Sequence, residues 1–315
     1  MSSSRFARGI AALPALLASA ALLAGCGAGP GESPAGTRLT VTQDFGAREV
    51  RELEAPEVGG QETVMRLLQR NAKVTTRFGG GFVQSIDGIA GGRRAGRPFD
   101  WFFYVNGVEA AEGANAMLLH PGDRVWWDRH DWGTAMRIPA VVGSFPEPFV
   151  RGMGGRRLPV RIECVDPQSA PCGEVGRRLT DLGVPAAHGG LGRSATEQTL
   201  RVLVGPWATV RVDQALVRLE RGPGASGVFA RPSRDGRQIR TLDARGRTTR
   251  TLGAGTGLIV AARDGEHPPV WAVTGTDTAG IAAAARAFTE RDLARRFAVA
   301  VTGGRAIGLP EAPAG

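Results

Sequence analysis

Lysine is almost missing from this chain of 315 residues: Lys73 is the only one, so nearly all of the 39 Lys+Arg side chains are arginine. Against 30 Asp+Glu they give a net charge of +9 and a pI near 11.0. Taken alone, that excess would suit a nucleic acid or a membrane surface. Cysteine is scarce, at three residues. The sequence has no G-x-S-x-G elbow, H-E-x-x-H, Walker A motif or paired-carboxylate signature, which makes an enzyme the weaker reading. Beyond the N-terminal region no stretch reaches the 18 or more apolar residues of a membrane span. What is present suffices for a core: 42% hydrophobic residues and a mean hydropathy of −0.11 exclude a wholly disordered chain. Glycine (46) and proline (20) stay below the low-complexity range.

Arg5 and Arg8 precede an uncharged run over residues 10–23, too short for a bilayer but the length of a signal-peptide core. The run ends in Leu23-Ala24-Gly25-Cys26, which resembles the lipobox of bacterial lipoproteins. The resemblance implies a signal peptide over 1–25, cleavage before Cys26 and acylation of that cysteine. More than one acyl chain gives stable anchoring. The expected location is the extracytoplasmic face of a bacterial cell membrane. Residues 26–37, rich in Gly, Pro and Ser, read as a flexible tether. The remaining cysteines, Cys164 and Cys172, are eight apart around a proline-containing loop. In an oxidising setting they read as a local disulfide, and two thiols are too few for a metal site.

From residue 38 to 46 apolar and polar residues alternate as in a strand. Val64, Leu67 and Leu68 mark a short amphipathic helix. Residues 83–89 form a short strand turning at Asp87-Gly88, and 91–98 read as a basic, glycine-rich loop. An aromatic strand over 101–105 closes on Asn106-Gly107, the favoured type I′ hairpin pair. Pro121-Gly122-Asp123 turns into a last aromatic strand over 124–132. The words QSIDGI (84–89), WFFYVNG (101–107) and PGDRVWW (121–127) together resemble the transcobalamin C-terminal-like domain of the soluble-ligand-binding β-grasp group. That resemblance covers residues 38–133 and implies a β-grasp fold and a corrinoid-like ligand.

Residues 134–158 have no clear period and read as a linker or arm between domains. Over 159–309 strands alternate with helices, which argues for an α/β domain of βαβ type, with a tail over 310–315. There the spacing predicts a helix over 212–219, a hairpin over 238–252, a helix from about 279 to 297 and a final strand over 298–301. Gly253-Ala-Gly255-Thr-Gly257 reads as a hairpin turn, and Asp277 as an N-cap. The fold class expected is therefore α+β with two domains, a β-grasp-like one followed by an α/β one.

On the aromatic strands, alternate residues face opposite ways, and one face must be core. The other offers candidate ligand contacts: Trp101, Phe102, Tyr104 and Asn106, with Trp126, Trp127, Asp128, His130 and Trp132. Asp128 and His130, at i and i+2, share a face; with His120 and Asp131 they are too sparse a set to assign a metal. No cofactor is expected. The function expected is non-catalytic binding of a small molecule, corrinoid-like by the resemblance, in a cleft between the domains, as an accessory to uptake through a membrane transporter. The alternative is a structural subunit of a cell-envelope complex, and a cell-wall hydrolase comes third.

The charge is not spread evenly. Residues 38–133 are close to neutral, and 134–315 carry the excess. Much of it lies in one hairpin: Arg231, Arg234, Arg237, Arg240, Arg245, Arg247 and Arg250 against Asp235 and Asp243. Outside a membrane this stretch does not meet nucleic acid. It reads as a solvated surface or as a contact with anionic lipid headgroups or wall polymers.

Overall fold

The computed structural model describes residues 36–54, 61–192 and 198–312. The predicted signal peptide, Cys26 and nearly all of the expected tether lie outside the described residues. Within them the fold is α+β and has two units.

The first unit starts with a hairpin of β1 (Arg38–Gln43) and β2 (Arg48–Glu54), followed by α1 (Val64–Asn71). The Thr63 hydroxyl caps α1 by accepting from Arg66 N, and Val64, Leu67 and Leu68 are buried. A small antiparallel sheet of β3 (Val74–Arg77), β4 (Phe82–Ile86) and β5 (Ile89–Ala90) comes next. Then β6 (Gly92–Arg94), β7 (Arg97–Val105), β8 (Val108–Glu109) and β9 (Arg124–Asp131) complete the main sheet. Its order is β2-β1-β9-β7-β6, with β8 paired to β7. β1 runs parallel to β9, and every other pair is antiparallel.

Residues 134–158 hold no named helix or strand, yet Ile138, Val141, Val142, Phe145 and Phe149 are buried. Val141 N donates to Gly107 O in the first unit and Val142 N to Phe297 O in the second. The segment is an arm packed against both.

The second unit opens as a βαβ turn: β10 (Val160–Cys164), α2 (Ala170–Asp181) and β11 (Ala186–Gly190), with β10 and β11 parallel. It continues with β12 (Leu200–Pro206), two one-turn helices α3 (Trp207–Val210) and α4 (Pro223–Ser226), and a three-stranded sheet of β13 (Ala230–Pro232), β14 (Ile239–Leu242) and β15 (Thr248–Leu252). β16 (Gly257–Ala262), β17 (Val270–Gly275), α5 (Thr278–Arg286), α6 (Glu290–Leu293), β18 (Ala298–Thr302) and β19 (Arg305–Leu309) follow. The large sheet has the order β11-β10-β12-β17-β16-β18-β19.

Its central strands are buried on both faces. On one face Ile162, Val202, Ile259, Trp271 and Val299 pack with α2, α5 and Phe145 and Phe149 of the arm. On the other, Leu203, Leu258, Val260, Ala272 and Ala300 share a cluster with Trp207, Phe229 and Ile239, and with Phe45, Tyr104 and Trp126 of the first unit. A third cluster, around Leu39, Leu67, Trp101, Val125 and Trp127, is the first unit's own. The junction between units is thus part of a continuous core.

Several local expectations are corrected. The loop over 91–98 is a hairpin, because Ala95 and Gly96 both take positive φ (48° and 77°) and pair Arg94 with Arg97. The predicted helix over 212–219 is a run of turns ending in a 3-10 segment, Val217–Arg221. Leu216 and Leu219 are buried, but Val212, the third residue of the helical spacing, is exposed, and the Asp213 carboxylate accepts from Ala215 N and holds a turn there. The long helix from 279 stops at Arg286, and Thr289 caps a separate turn by accepting from Asp292 N. The segment after Gly253 links β15 to β16 in different sheets, so it is no hairpin turn. β18 is followed by β19, so it is not the final strand. The start of the tail is fixed: Glu311 is buried and accepts from Thr241 and Thr249.

Candidate functional site

The site begins at the turn between β1 and β2. Asp44, Phe45 and Gly46 all adopt positive φ (56°, 59° and 81°), a run that only strong local partners sustain. The partner is Asp128 on β9. Its carboxylate accepts from Thr42 Oγ1 (2.6 Å), Phe45 N (3.0 Å) and Gly46 N (2.9 Å), and meets His130 Nδ1 at 2.9 Å. A Cβ at Gly46 would stand 1.9 Å from Arg295 O of the second unit. Only glycine fits that approach.

The turn drives Phe45 into the other unit. Its ring stacks on His130 at 4.6 Å and meets Phe229 and Phe297 edge-on at 5.0 and 5.2 Å. His130 in turn stacks on Phe102 at 4.5 Å. Tyr104 and Trp126 also meet Phe297. The face proposed as a ligand wall is therefore the seam between units.

Each candidate residue now has a place. Trp101 and Trp127 are in the first unit's core, and Trp101 Nε1 donates to Ile89 O. Tyr104 is fully buried, which pushes its phenol well above the ordinary range. Asn106, at positive φ, donates to Asp123 and Gly152 O and accepts from Arg124 N. Trp126 Nε1 donates to Thr42 Oγ1. Trp132 Nε1 donates to Asp100. Asp128 and His130 are 0% and 1% exposed. These nine residues do not form an open wall. His120 pairs with Asp123 and Asp131 with Arg97, away from Asp128. Among the described residues, no three His, Cys, Asp or Glu side chains group to hold a metal ion. Cys164 and Cys172 are disulfide-bonded, with Cα atoms 6.0 Å apart.

An open groove of about 500 Å³ lies at the edge of the same seam. The β1–β2 turn gives it Asp44, Phe45, Ala47 and Arg48. The β6–β7 hairpin gives Arg94, Ala95, Arg97 and Phe99, with Asp131 beside them. Across from these are Ala244 and Arg245 of the β14–β15 turn, then Pro310, Glu311 and Ala312. The volume falls within the usual range for small-molecule sites. Arg129 lies 4.7 Å above the Phe99 ring. Burial holds its guanidinium below the ordinary value, and Arg94 and Arg48 push the same way. The groove is thus apolar with an arginine rim. Of the residues the sequence singled out, only Asp131 and Arg245 line it. No linear motif marks the others, because residues 44–48, 94–99, 131, 244–245 and 310–312, far apart in sequence, assemble it.

The remaining hairpin arginines differ among themselves. Arg250 pairs with Glu311 (2.5 Å), Arg247 with Asp243 (2.6 Å) and Arg234 with Glu220 (3.7 Å). Arg231 sits directly opposite Arg240 across β13 and β14, a like-charge pair that destabilises the sheet in isolation. Arg237 and Arg240 are exposed.

Comparison with known proteins adds little. A family model described as a domain of unknown function (DUF4430) matches residues 61–131. It spans α1 to β9 and leaves out β1 and β2. No curated protein matches. Part of the chain is similar to the crystal structure of a candidate metal binding protein from Ruminococcus gnavus ATCC 29149. The identity is 13%, over 31% of this chain and 97% of that one, with a TM-score of 0.26.

Proposed function

We propose that the chain is a non-catalytic binding protein, exported and lipid-anchored through Cys26, that holds a small molecule in the groove between its units. The groove carries this reading: it is concave, apolar at its floor, rimmed by charge and built from both units and the C-terminal segment. The lipobox-like sequence supports the anchor, and delivery to a membrane transporter is the role that fits an anchored binder. The corrinoid version rests on the sequence resemblance, and its expected aromatic wall is spent on the seam.

The test is isothermal titration of the chain from residue 27 on, which contains every described residue. Cyanocobalamin and small aromatic acids, amides and alcohols are the ligands. Ala244→Trp is expected to fill the groove; Ala244 is partly buried and packs at the edge of the core, so circular dichroism must show the variant folded. Saturable binding that this variant abolishes supports the reading. Binding that survives it places the ligand elsewhere, and no binding by any ligand leaves the envelope-subunit alternative, tested by co-purification with membrane proteins.

The Arg231–Arg240 pair favours one addition. Its repulsion is relieved by an anionic surface, such as the headgroups a lipid anchor would keep near.

A further inference from the structure

We propose that the groove takes an amphipathic organic anion: one carboxylate or phosphate held by Arg94 and Arg245, on an apolar body lying against Phe45, Phe99 and Pro310. This rests on the reading of the groove as a ligand site and adds the chemical class.

Three acids line the groove, and each is already engaged. Asp44 is paired with Arg48 at 2.7 Å. Asp131 is paired with Arg97 and accepts from Gly133 N. Glu311 is paired with Arg250 at 2.5 Å and takes the hydroxyls of Thr241 and Thr249 at 2.9 and 2.7 Å. Two cations remain. Arg94, on the first unit, and Arg245, on the second, are exposed and have no carboxylate partner among the described residues. The free valence of the groove is positive on both walls.

A cationic ligand would meet two unopposed guanidiniums and no free acid. A purely apolar ligand would desolvate them without a partner, which is unfavourable. An acid group satisfies both, and guanidinium forks suit carboxylate and phosphate geometry. The floor fixes the rest of the ligand. Phe45, Ala47, Phe99, Ala244 and Pro310 offer apolar surface, so the molecule must carry more than its acid. Because the two arginines belong to different units, the anion bridges the seam from outside.

The probes are 4-phenylbutyrate and phenyl phosphate, with 4-phenylbutyramide as the neutral comparison, titrated calorimetrically into the chain from residue 27 on. At least one acid is expected to bind one to one, at least about tenfold more tightly than the amide, as a charged hydrogen-bonded partner implies. Added salt should weaken the acid and leave the amide unchanged. The double variant R94A/R245A should bring the acid to the amide's affinity while circular dichroism stays unaltered, since both side chains are exposed. The stronger of the two acids identifies the headgroup. Equal binding of acid and amide, unaffected by the double variant, overturns the anion and leaves the groove reading standing. Failure of all three probes to bind overturns the proposal here. The groove reading itself then falls only if the wider ligand series with Ala244→Trp also shows nothing.

Discussion

The Asp128 carboxylate meets His130 Nδ1 at 2.9 Å, in a place that neither side chain shares with solvent. In sequence the pair reads as two candidate ligand contacts on one strand face, too few to assign a metal. In the fold it holds the β1–β2 turn in its left-handed course and sets the His130 ring between Phe45 and Phe102. Replacing Asp128 by alanine strands two backbone N–H groups, the Thr42 hydroxyl and the His130 ring. The expected loss is about 3 kcal/mol, within the range for breaking a buried charged network. Urea unfolding measures it, and a loss under about 1 kcal/mol would show that the turn does not depend on Asp128.

Phe45→Ala removes the ring that joins the units and should cost about 3–5 kcal/mol, the usual figure for a buried phenylalanine. Gly46→Ala should be of similar severity, because a methyl group there collides with Arg295 O. If the junction is one core, both variants shift a single unfolding transition. Two separated transitions in the wild type would contradict this.

Glu147 supplies a pH dependence. Burial raises its carboxyl to about 7, against the pull of Arg151 N and the charges of Arg124 and Arg151. The folded chain then keeps a proton that the unfolded chain releases at its ordinary value near 4.5. The contribution of this group to stability is greatest below that value and declines as pH rises through about 7, by up to roughly 3 kcal/mol. Glu147→Gln keeps an acceptor for Arg151 N and carries no charge. It should match the wild type at pH 4 and exceed it at pH 8 in denaturant midpoint. Equal midpoints at both pH values would remove Glu147 from the account.

The Cys164–Cys172 bridge closes a loop of sequence separation 8 at the junction of β10 and α2. Chain entropy alone gives it about 2.5 kcal/mol. Serine at both positions should lower stability by that order. Since both cysteines are fully buried, reductant should act on the native protein only as fast as the region opens, which thiol labelling in real time reads directly.

The chain from residue 27 on should sediment with vesicles rich in phosphatidylglycerol and be released by salt. R231A/R240A should lose most of that binding. Binding that salt does not weaken would argue against a role for the arginine face.

Much of the fold was legible where a local pattern matches a local cause. The aromatic runs of β7 and β9, the Asn106-Gly107 turn, the cap at Asp277 and the disulfide all follow from neighbours in sequence. What was not legible depends on distant partners. β2 reads REVRELE and shows no period-2 apolar face: Val50 and Leu53, three apart, both pack on the first unit's core because the β1–β2 register shifts at Val50. Ala95 at positive φ has no signal in its identity. The second aromatic face reads in sequence as candidate ligand contacts, but it is covered by Phe229 and Phe297, about a hundred residues or more further on. The groove was missed for the same reason: Phe99 and Pro310 become neighbours only after the units close.

The parallel pairing of β1 with β9 also fixes an order of events. Leu39 faces Val125 in that register, 86 residues later. During synthesis from the N-terminus, β1 and β2 emerge as a lone hairpin whose inner edge has no partner until β9 appears. That is a long-range closure of the kind that slows folding and leaves a strand edge open to other chains. The arrangement makes nascent protein sensitive to any pause between residues 54 and 124, and places its risk of aggregation before β9 is made.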